Sequence, residues 1–367
     1  MKEMMIGFME WKTEGEEGEG EGGEEEGEEE EEKEEGGVEG DLINLLAPVP
    51  RTIYLYDFFL GQTSVVAQEM CESVCFAVSK MEKSLIQPLI AVVISFLVAT
   101  RAYVRKSLDL SGAISGFFVM TIHFAVGSRY GAVLLVFFFT SSKLTKVGED
   151  KKRRIDAEYK EGGQRNWIQV LSNSGIATVL VVTIWGLSGW EDKCLDSKDS
   201  TVITALIGGV IGHYCCCNGD TWSSELGVLS DEQPRLITTS KPVRRGTNGG
   251  VTKAGLLAAM AAGSVTGLTF VLFGFLTTKC TYDAALKQLL VIPLSTLAGL
   301  LGSVIDSLLG ATLQFSGFCT VRKKVVGKPG PTVKKISGLT ILDNNAVNFV
   351  SIMLTSVLTA VACVYIF

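Results

Sequence analysis

The amino-acid sequence predicts an all-α integral membrane protein, a polytopic bundle of about eight transmembrane helices, with seven as the alternative. Three observations support this prediction. Apolar residues make up 47% of the 367-residue chain, and the mean hydropathy of +0.32 is high for a soluble protein. Eight apolar stretches of helical length follow residue 85. Lys and Arg are unevenly divided between alternate connections.

The first 80 residues are predicted to be an extension outside the membrane domain. Residues 13–41 hold sixteen Glu, one Asp and one Lys. Such a Glu/Gly run buries too little apolar surface to fold, so we expect it to be disordered. No secretory signal or transit peptide is expected at the start. The membrane domain is predicted to span residues 81–367, and whether residues 1–80 belong to the mature protein stays open.

The predicted spans are separated by short polar connections. They lie near residues 85–103, 109–125, 128–142, 167–189, 201–217, 252–277, 285–312 and 345–367. The third stretch is short and is joined to the second by the tight sequence VGSRYG. Small residues four apart, Gly112 with Gly116 and Ala259 with Gly263 and Gly267, predict helices that pack closely in lipid.

The charge distribution predicts an orientation. Connections 1–2, 3–4, 5–6 and 7–8 carry 22 Lys and Arg, whereas the opposite side carries seven. Because short cytoplasmic connections accumulate positive charge, the odd-numbered connections are predicted to face the cytosol, with both termini opposite. Part of this charge, such as the KKRR run at residues 151–154, is also what an ordinary stop-transfer cluster would contain.

Acidic and polar residues follow the fifth span on the predicted cytosolic side. Asp220 and Glu225 flank Ser224 at this water-accessible boundary. Carboxylates in such a place suit Mg²⁺, which takes a few oxygen ligands together with phosphate oxygens. The sequence therefore predicts a candidate Mg²⁺ site.

The same connection continues with KPVRRGTNGGVT before the sixth span. Arginine forks suit phosphate, and glycines let backbone N–H groups curl around an anion beside a helix N-terminus. The spacing departs from the common phosphate-loop motif, so an ordinary basic turn remains the alternative. The phosphate-binding candidates are Arg244, Arg245, Gly246, Thr247, Asn248, Gly249 and Gly250.

The seventh span contains an acidic residue among apolar ones. Asp306 shares a helix face with Gly302, Gly310 and Gln314, and an ionisable residue within a span is by default a functional candidate. The alternative is a hydrated Asp near a helix end. Further polar candidates for the same pocket lie beside Asp306 and at the start of the eighth span, where N-capping explains part of the run. They are Ser303, Asp343, Asn344, Asn345 and Asn348.

Other kinds of site are not predicted. The cysteines lack the spacing of a disulfide framework and are expected to be mostly small apolar fillers. Adjacent cysteines at 215–217 with His213 do not suit structural zinc. No Ser/His/acid set is evident, and no nucleic-acid partner is expected. The oligomeric state is left open.

Four stretches, NGDTWSSELGVLS, KPVRRGTNGGVT, GSVIDSLLGATLQ and LTILDNNAVNF, resemble the signature sequences of the transmembrane protein 19 family, whose plant branch is called plant growth regulation protein. It lies within the domain-of-unknown-function 92 family. The resemblance covers about residues 81–367, and MEKSLIQPLIAVV at residue 81 looks like a family N-terminus.

The resemblance implies a chemistry, because a related branch contains the phytyl-phosphate kinase of chloroplasts, which transfers a phosphoryl group from a nucleoside triphosphate, typically CTP, to an isoprenoid monophosphate. By this resemblance Asp220, Glu225 and Asp306 are candidate Mg²⁺ ligands or catalytic acids. The arginines and the glycine loop would hold phosphates, and Lys146 would neutralise developing charge. Membrane lipid, a nucleoside triphosphate and a prenyl phosphate are the expected partners.

Two other functions remain open. A transporter would use Asp306 and the asparagines to line a path for an ion or solute. A non-catalytic membrane protein in plant growth and sugar-response regulation is the third hypothesis. The expected location is the plasma membrane or an endomembrane, with the chloroplast envelope as the alternative.

Overall fold

The computed structural model describes residues 86–155, 163–189 and 191–367, so the predictions for residues 1–80 lie outside the described residues. Helices dominate this part of the chain. They are α1 Ile86–Val104, α2 Leu110–Val126, α3 Ser128–Lys146, α4 Glu149–Ile155, α5 Trp167–Ser172, α6 Gly175–Ser188, α7 Ser197–Gly227, α8 Lys253–Thr277, α9 Tyr282–Gln288, α10 Val291–Thr312 and α11 Asn344–Ile366. The prediction of an α-helical integral membrane protein is confirmed.

The number of spans is lower than predicted. Five helical segments of the described residues are long and apolar enough to cross a membrane, or six if α3 and α4, bent by 74°, form one span. The other two predicted spans are helices as well, but α2 has 17 residues and α6 has 14. At 1.5 Å per residue they reach about 26 and 21 Å, less than the roughly 30 Å hydrocarbon core.

Helix α7 lies at the centre of the bundle, against α3, α6, α8, α10 and α11. Glycines allow this close packing. A Cβ built on Gly219 would lie 2.5 Å from the carbonyl oxygen of Gly299 on α10, and one on Gly302 would lie 2.7 Å from Cys216 Sγ. No side chain fits at these crossings, so α7 and α10 approach backbone to backbone and bring their polar residues together.

Of the predicted small-residue stripes, the one on α8 packs on a helix as expected, whereas the one on α2 packs on a connecting segment. A Cβ on Gly263 would lie 2.2 Å from the carbonyl oxygen of Ser295 on α10, and one on Gly112 would lie 2.2 Å from that of Arg165. The first contact joins α8 to α10. The second presses α2 onto the segment that enters α5, which matters for the site described below.

Two small sheets stand in the connections of the predicted cytosolic side, where only loops were expected. Strands β1 Arg235–Leu236 and β2 Gly250–Val251 pair antiparallel. Strand β3 Ser316–Cys319 lies between β4 Lys324–Val326 and β5 Val333–Ser337, antiparallel to both. The β-branched residues of VRKKVV and PTVKKIS favour extended strands. These sheets hold the connections of α7–α8 and α10–α11 against the end of the bundle.

The opposite end of the bundle is closed by a buried ion pair and a disulfide. Arg129 is 1% exposed, with its guanidinium 2.6 Å from Asp192 Oδ1 and over the ring of Phe270. Cys194 and Cys280 form a disulfide between the α6–α7 and α8–α9 connections. Their separation of 86 residues gave no spacing signal for this bond, whereas the five free cysteines of the described residues are buried fillers as expected.

Candidate functional site

One cavity of about 750 Å³ lies at the end of the bundle where the α1–α2, α3–α5, α7–α8 and α10–α11 connections meet. We call it the polar cavity. Its walls combine ionisable residues and glycines with an apolar side formed by α1, α2 and α3. The apolar lining residues include Val98, Ala99, Ala102, Leu108, Val119, Met120, Leu134, Phe137 and Phe138. The cavity is therefore amphiphilic, with polar groups on one side and a hydrocarbon-like wall on the other.

Two aspartates face each other in the polar cavity. Asp220 near the end of α7 and Asp306 on α10 lie close enough for their carboxyl groups to share a hydrogen bond. Ser351 on α11 donates from Oγ to Asp306 Oδ2 at 2.9 Å. Within the described residues neither carboxyl group forms an ion pair. Two carboxyl groups so placed need a shared proton or a cation between them.

Glu225 lines the same cavity but has a cation of its own. Lys152 of the short helix α4 places Nζ 2.6 Å from Glu225 Oε2, with the two side chains 5% and 20% exposed. The same Nζ donates to the carbonyl oxygens of Leu144 and Thr145, at 2.6 and 3.1 Å. All three ammonium hydrogens are therefore engaged, and the pair ties α4 to the end of α7.

The glycine loop before α8 forms another wall. Gly246 and Gly249 have φ of +84° and +74°, which favours glycine. A Cβ on Gly249 would lie 2.4 Å from that of Ala311 on α10, so the loop touches the helix that carries Asp306. In the described part of the chain the N–H groups of Arg245, Gly246 and Gly249 form no hydrogen bond. They are available to an anion.

The first turn of α11 completes the wall. Asp343 is the N-cap, and its side chain accepts a hydrogen bond from the backbone N–H of Ala346 at 2.9 Å. Asn344, Asn345 and Asn348 line the cavity. The positive end of the α11 dipole therefore points to the same space as the glycine loop.

Most of the predicted site residues meet at the polar cavity. The lining residues among them are Asp220, Ser224, Glu225, Arg245, Gly246, Thr247, Asn248, Gly249, Gly250, Asp306, Asn344, Asn345 and Asn348. Two of these side chains also hold the loop in shape. Thr247 Oγ1 donates to the carbonyl oxygen of Arg244 at 2.7 Å, and Asn248 Nδ2 donates to that of Phe315 at 3.2 Å.

Four predicted residues do not line the cavity. Lys146 donates from Nζ to the carbonyl oxygen of Arg105 and to Ser107 Oγ, so it braces the α1–α2 turn. Arg244 lies over the ring of Phe318 at 3.9 Å and ties the glycine loop to β3. Ser303 is buried in the α10 packing, and Asp343 serves as the helix cap. Sequence spacing places such residues near the site but does not determine where their side chains point.

Two cations of the cavity were absent from the predicted set. Lys152 belongs to the KKRR run, and Arg165 belongs to the polar series that enters α5. Lys152 was not predicted because an ordinary stop-transfer cluster accounts equally well for the KKRR run. The signal for the second was the density of polar residues around it: Gln164, Arg165, Gln169 and Asn173 all line the cavity.

The carboxylates fit Mg²⁺ as a pair and not as the predicted trio. In the described ranges, no group of three His, Cys, Asp or Glu side chains is placed to hold a metal ion. Glu225 is occupied by Lys152, whereas Asp220 and Asp306 face each other without a cation. Mg²⁺ is commonly held by one or two carboxylates plus substrate phosphates, so the donor set of this pair suits it.

Comparison with known proteins places this sequence among membrane proteins. The model of the family described as integral membrane protein DUF92 matches residues 93–356. Protein PGR of Arabidopsis thaliana is 77% identical over 277 residues, or 76% of this chain and 96% of that protein. An uncharacterized membrane protein of Methanocaldococcus jannaschii is 31% identical over 238 residues, covering 64% of this chain and 87% of that one.

A more distant relative is Protein VTE6, chloroplastic, of Arabidopsis thaliana. It is 27% identical over 157 residues, which are 42% of this chain and 44% of that protein. No solved structure matches the chain.

Proposed function

Because the chain belongs to the DUF92 family of integral membrane proteins, we propose that it is a nucleotide-dependent kinase of an isoprenoid or other lipid phosphate. The reaction moves the terminal phosphoryl group of a nucleoside triphosphate, CTP or a similar nucleotide, to a lipid monophosphate in the polar cavity. The resemblance of the sequence to the phytyl-phosphate kinase branch suggests this class of reaction.

A single observation carries the proposal. One amphiphilic cavity combines a carboxylate pair, a glycine loop with an arginine, and a wall of apolar side chains. Transfer between two phosphates needs mainly alignment and charge neutralisation. The acceptor is itself a phosphate oxygen that is largely ionised at neutral pH, so the reaction does not require a strong general base.

Each wall has a role in this proposal. Arg245 and the N–H groups of Gly246 and Gly249 bind the nucleotide phosphates. Asp220 and Asp306 would hold Mg²⁺, which would neutralise charge on the transferred group. The new bond joins an oxygen of the lipid phosphate to the terminal phosphorus, while the bond from that phosphorus to the bridging oxygen breaks. The products are a nucleoside diphosphate and a lipid diphosphate.

Two features favour an enzyme over a transporter. The residues that line the polar cavity lie towards one end of the bundle, and the other end is filled by the Arg129–Asp192 pair. The orientation from charge counting would also let a soluble nucleotide enter from the cytosol. The Cys194–Cys280 disulfide on the other face agrees with that orientation, since disulfides persist in oxidising compartments.

The test is a transfer assay in nanodiscs with terminally labelled CTP or ATP, Mg²⁺ and a panel of prenyl monophosphates. We expect labelled prenyl diphosphate with the intact protein and at least a hundredfold lower rate with Asp220→Ala. Ser303→Ala, a buried polar change outside the cavity, serves as the control. No transfer to any of these acceptors by correctly folded protein would refute the proposal for this substrate class.

A further inference from the structure

Arg165 is a cation of the polar cavity whose position is rigidly set. Its backbone N–H donates to the carbonyl oxygen of Ser107, and its own carbonyl accepts from the N–H of Asp109. Gly112 packs directly on that carbonyl, leaving no room for a Cβ. The guanidinium donates from Nη1 to Ser142 Oγ at 2.9 Å. These contacts hold the side chain between α2 and α3 without neutralising it.

Among the described residues, the charge of Arg165 has no ion-pair partner of its own. Within residues 86–155, 163–189 and 191–367, the carboxylate that acts on it electrostatically is that of Glu225, which is already bound to Lys152 at 2.6 Å. Burial lowers the pKa of the Arg165 guanidinium and Glu225 raises it, but an arginine stays protonated at neutral pH. A half-buried cation of this kind, lining a cavity, is stabilised by an anionic ligand.

The surroundings of Arg165 show which anion fits. Leu108 pairs with it in a β-bridge, and Phe138 lies one helical turn before Ser142 on α3. Leu108 and Ala102 form a buried apolar cluster with Phe138 and Val170 packed on it. The guanidinium therefore stands where the polar cavity meets its apolar wall. A phosphate with a hydrocarbon tail matches both parts, whereas a nucleotide would leave the apolar wall uncovered.

We propose that Arg165 binds the phosphate head of the lipid acceptor, with its tail along the apolar wall formed by α1, α2 and α3. This rests on the proposed function and divides the polar cavity into two anion subsites. The glycine loop and Arg245 hold the nucleotide, and Arg165 holds the lipid phosphate. Asp220 and Asp306 belong to the same cavity and would hold Mg²⁺ beside the transferred group.

The experiment measures binding separately from transfer. Purified protein in nanodiscs is titrated with farnesyl monophosphate, with farnesol as the matched ligand without phosphate, and with CTP. We expect Arg165→Gln to weaken farnesyl monophosphate binding at least tenfold and to change farnesol and CTP binding less than threefold. Arg165→Lys should keep part of the affinity for farnesyl monophosphate, because lysine retains the positive charge but cannot bind the phosphate in a bidentate manner. Arg245→Gln should weaken CTP binding instead.

Arg105→Gln is the matched control, because Arg105 is exposed on the adjacent turn and does not line the cavity. Retained CTP binding by Arg165→Gln shows that the variant folds. Unchanged farnesyl monophosphate affinity in Arg165→Gln, or a loss of CTP binding instead, would overturn the inference. Farnesyl monophosphate binding that depends on Arg165 without any transfer would uphold this subsite and count against the kinase alone.

Discussion

Replacing Lys152 with Met tests whether Glu225 is a structural partner or a metal ligand. The Met side chain is similar in length but removes the ammonium that lies 2.6 Å from Glu225 and donates to two carbonyl oxygens. Removing one partner of a buried pair leaves an uncompensated charge and costs about 3–5 kcal/mol. At about 2 °C per kcal/mol for a protein of this size, the melting temperature should fall by roughly 6–10 °C.

Thermal unfolding in nanodiscs, followed by far-ultraviolet circular dichroism, measures this change. Lys152→Met combined with Glu225→Gln should recover more than half of the loss, because the unpaired charge is gone. Lys151→Met is the control: its partner Asp231 is fully exposed, and little change is expected. The double variant should also keep phosphoryl transfer within tenfold of the intact protein.

Two results would refute this reasoning. A double variant as unstable as Lys152→Met alone would mean that the charge of Glu225 is not what destabilises the single variant. The double variant could also be stable but inactive in phosphoryl transfer while Lys151→Met is active. That result would indicate that Glu225 is a metal ligand, as the sequence predicted.

Three further predictions concern other parts of the fold. Gly249→Ala should weaken nucleotide binding at least tenfold, because its positive φ and lack of space force the loop away from α10, whereas Gly186→Ala, with nothing within 4 Å, should bind normally in the same titration. Arg129→Met should lower the melting temperature by a similar 6–10 °C while nucleotide affinity per folded protein stays unchanged, since the residue lies at the other end of the bundle. Cys194→Ser with Cys280→Ser should destabilise the protein by about 2–4 kcal/mol, seen as a lower melting temperature.

These predictions fail on distinct observations. Normal nucleotide binding by Gly249→Ala would remove the glycine loop from the site. Lost nucleotide binding by a folded Arg129→Met protein would indicate coupling between the two ends, as a transporter requires. A reducing agent should lower the melting temperature of the intact protein but not that of the disulfide-free variant. An equal decrease in both proteins would show that loss of the disulfide does not cause the destabilisation.

The membrane helices could be predicted because apolar length is a local property of the sequence. Each of the eight predicted stretches is helical. The excess of predicted spans arises at α2, which has only 17 residues, and at α6, which a break at Asn173 and Ser174 shortens to 14 residues. The small sheets were not predicted, because strand pairing is not a local property of the sequence. Strands β3 and β5 pair directly although β4 lies between them in the sequence, and apolar periodicity does not report such a pairing.

The site was predictable to the level of the segment. Chemistry-bearing residue types clustered in the connections of one side, so the sequence located the aspartates, the glycine loop and the first turn of α11, but not the apolar wall. The sequence did not distinguish residues that line the cavity from residues that hold neighbouring segments in place. Lys146 and Arg244 carry charges suited to phosphate, yet their contacts to Arg105 and Phe318 are set by tertiary structure. Arg165 was not among the predicted site residues, because its separation from the carboxylates of the described residues is a property of the tertiary structure.

A cryo-electron microscopy structure of the protein with a non-hydrolysable CTP analogue, Mg²⁺ and a prenyl monophosphate would show directly which ligand binds in each part of the polar cavity. We expect the nucleotide phosphates on Arg245 and the glycine loop, Mg²⁺ held by Asp220 and Asp306, and the lipid phosphate at Arg165 with its tail along α1, α2 and α3. Nucleotide density elsewhere, or a polar cavity that remains without either ligand at saturating concentrations, would contradict this expectation.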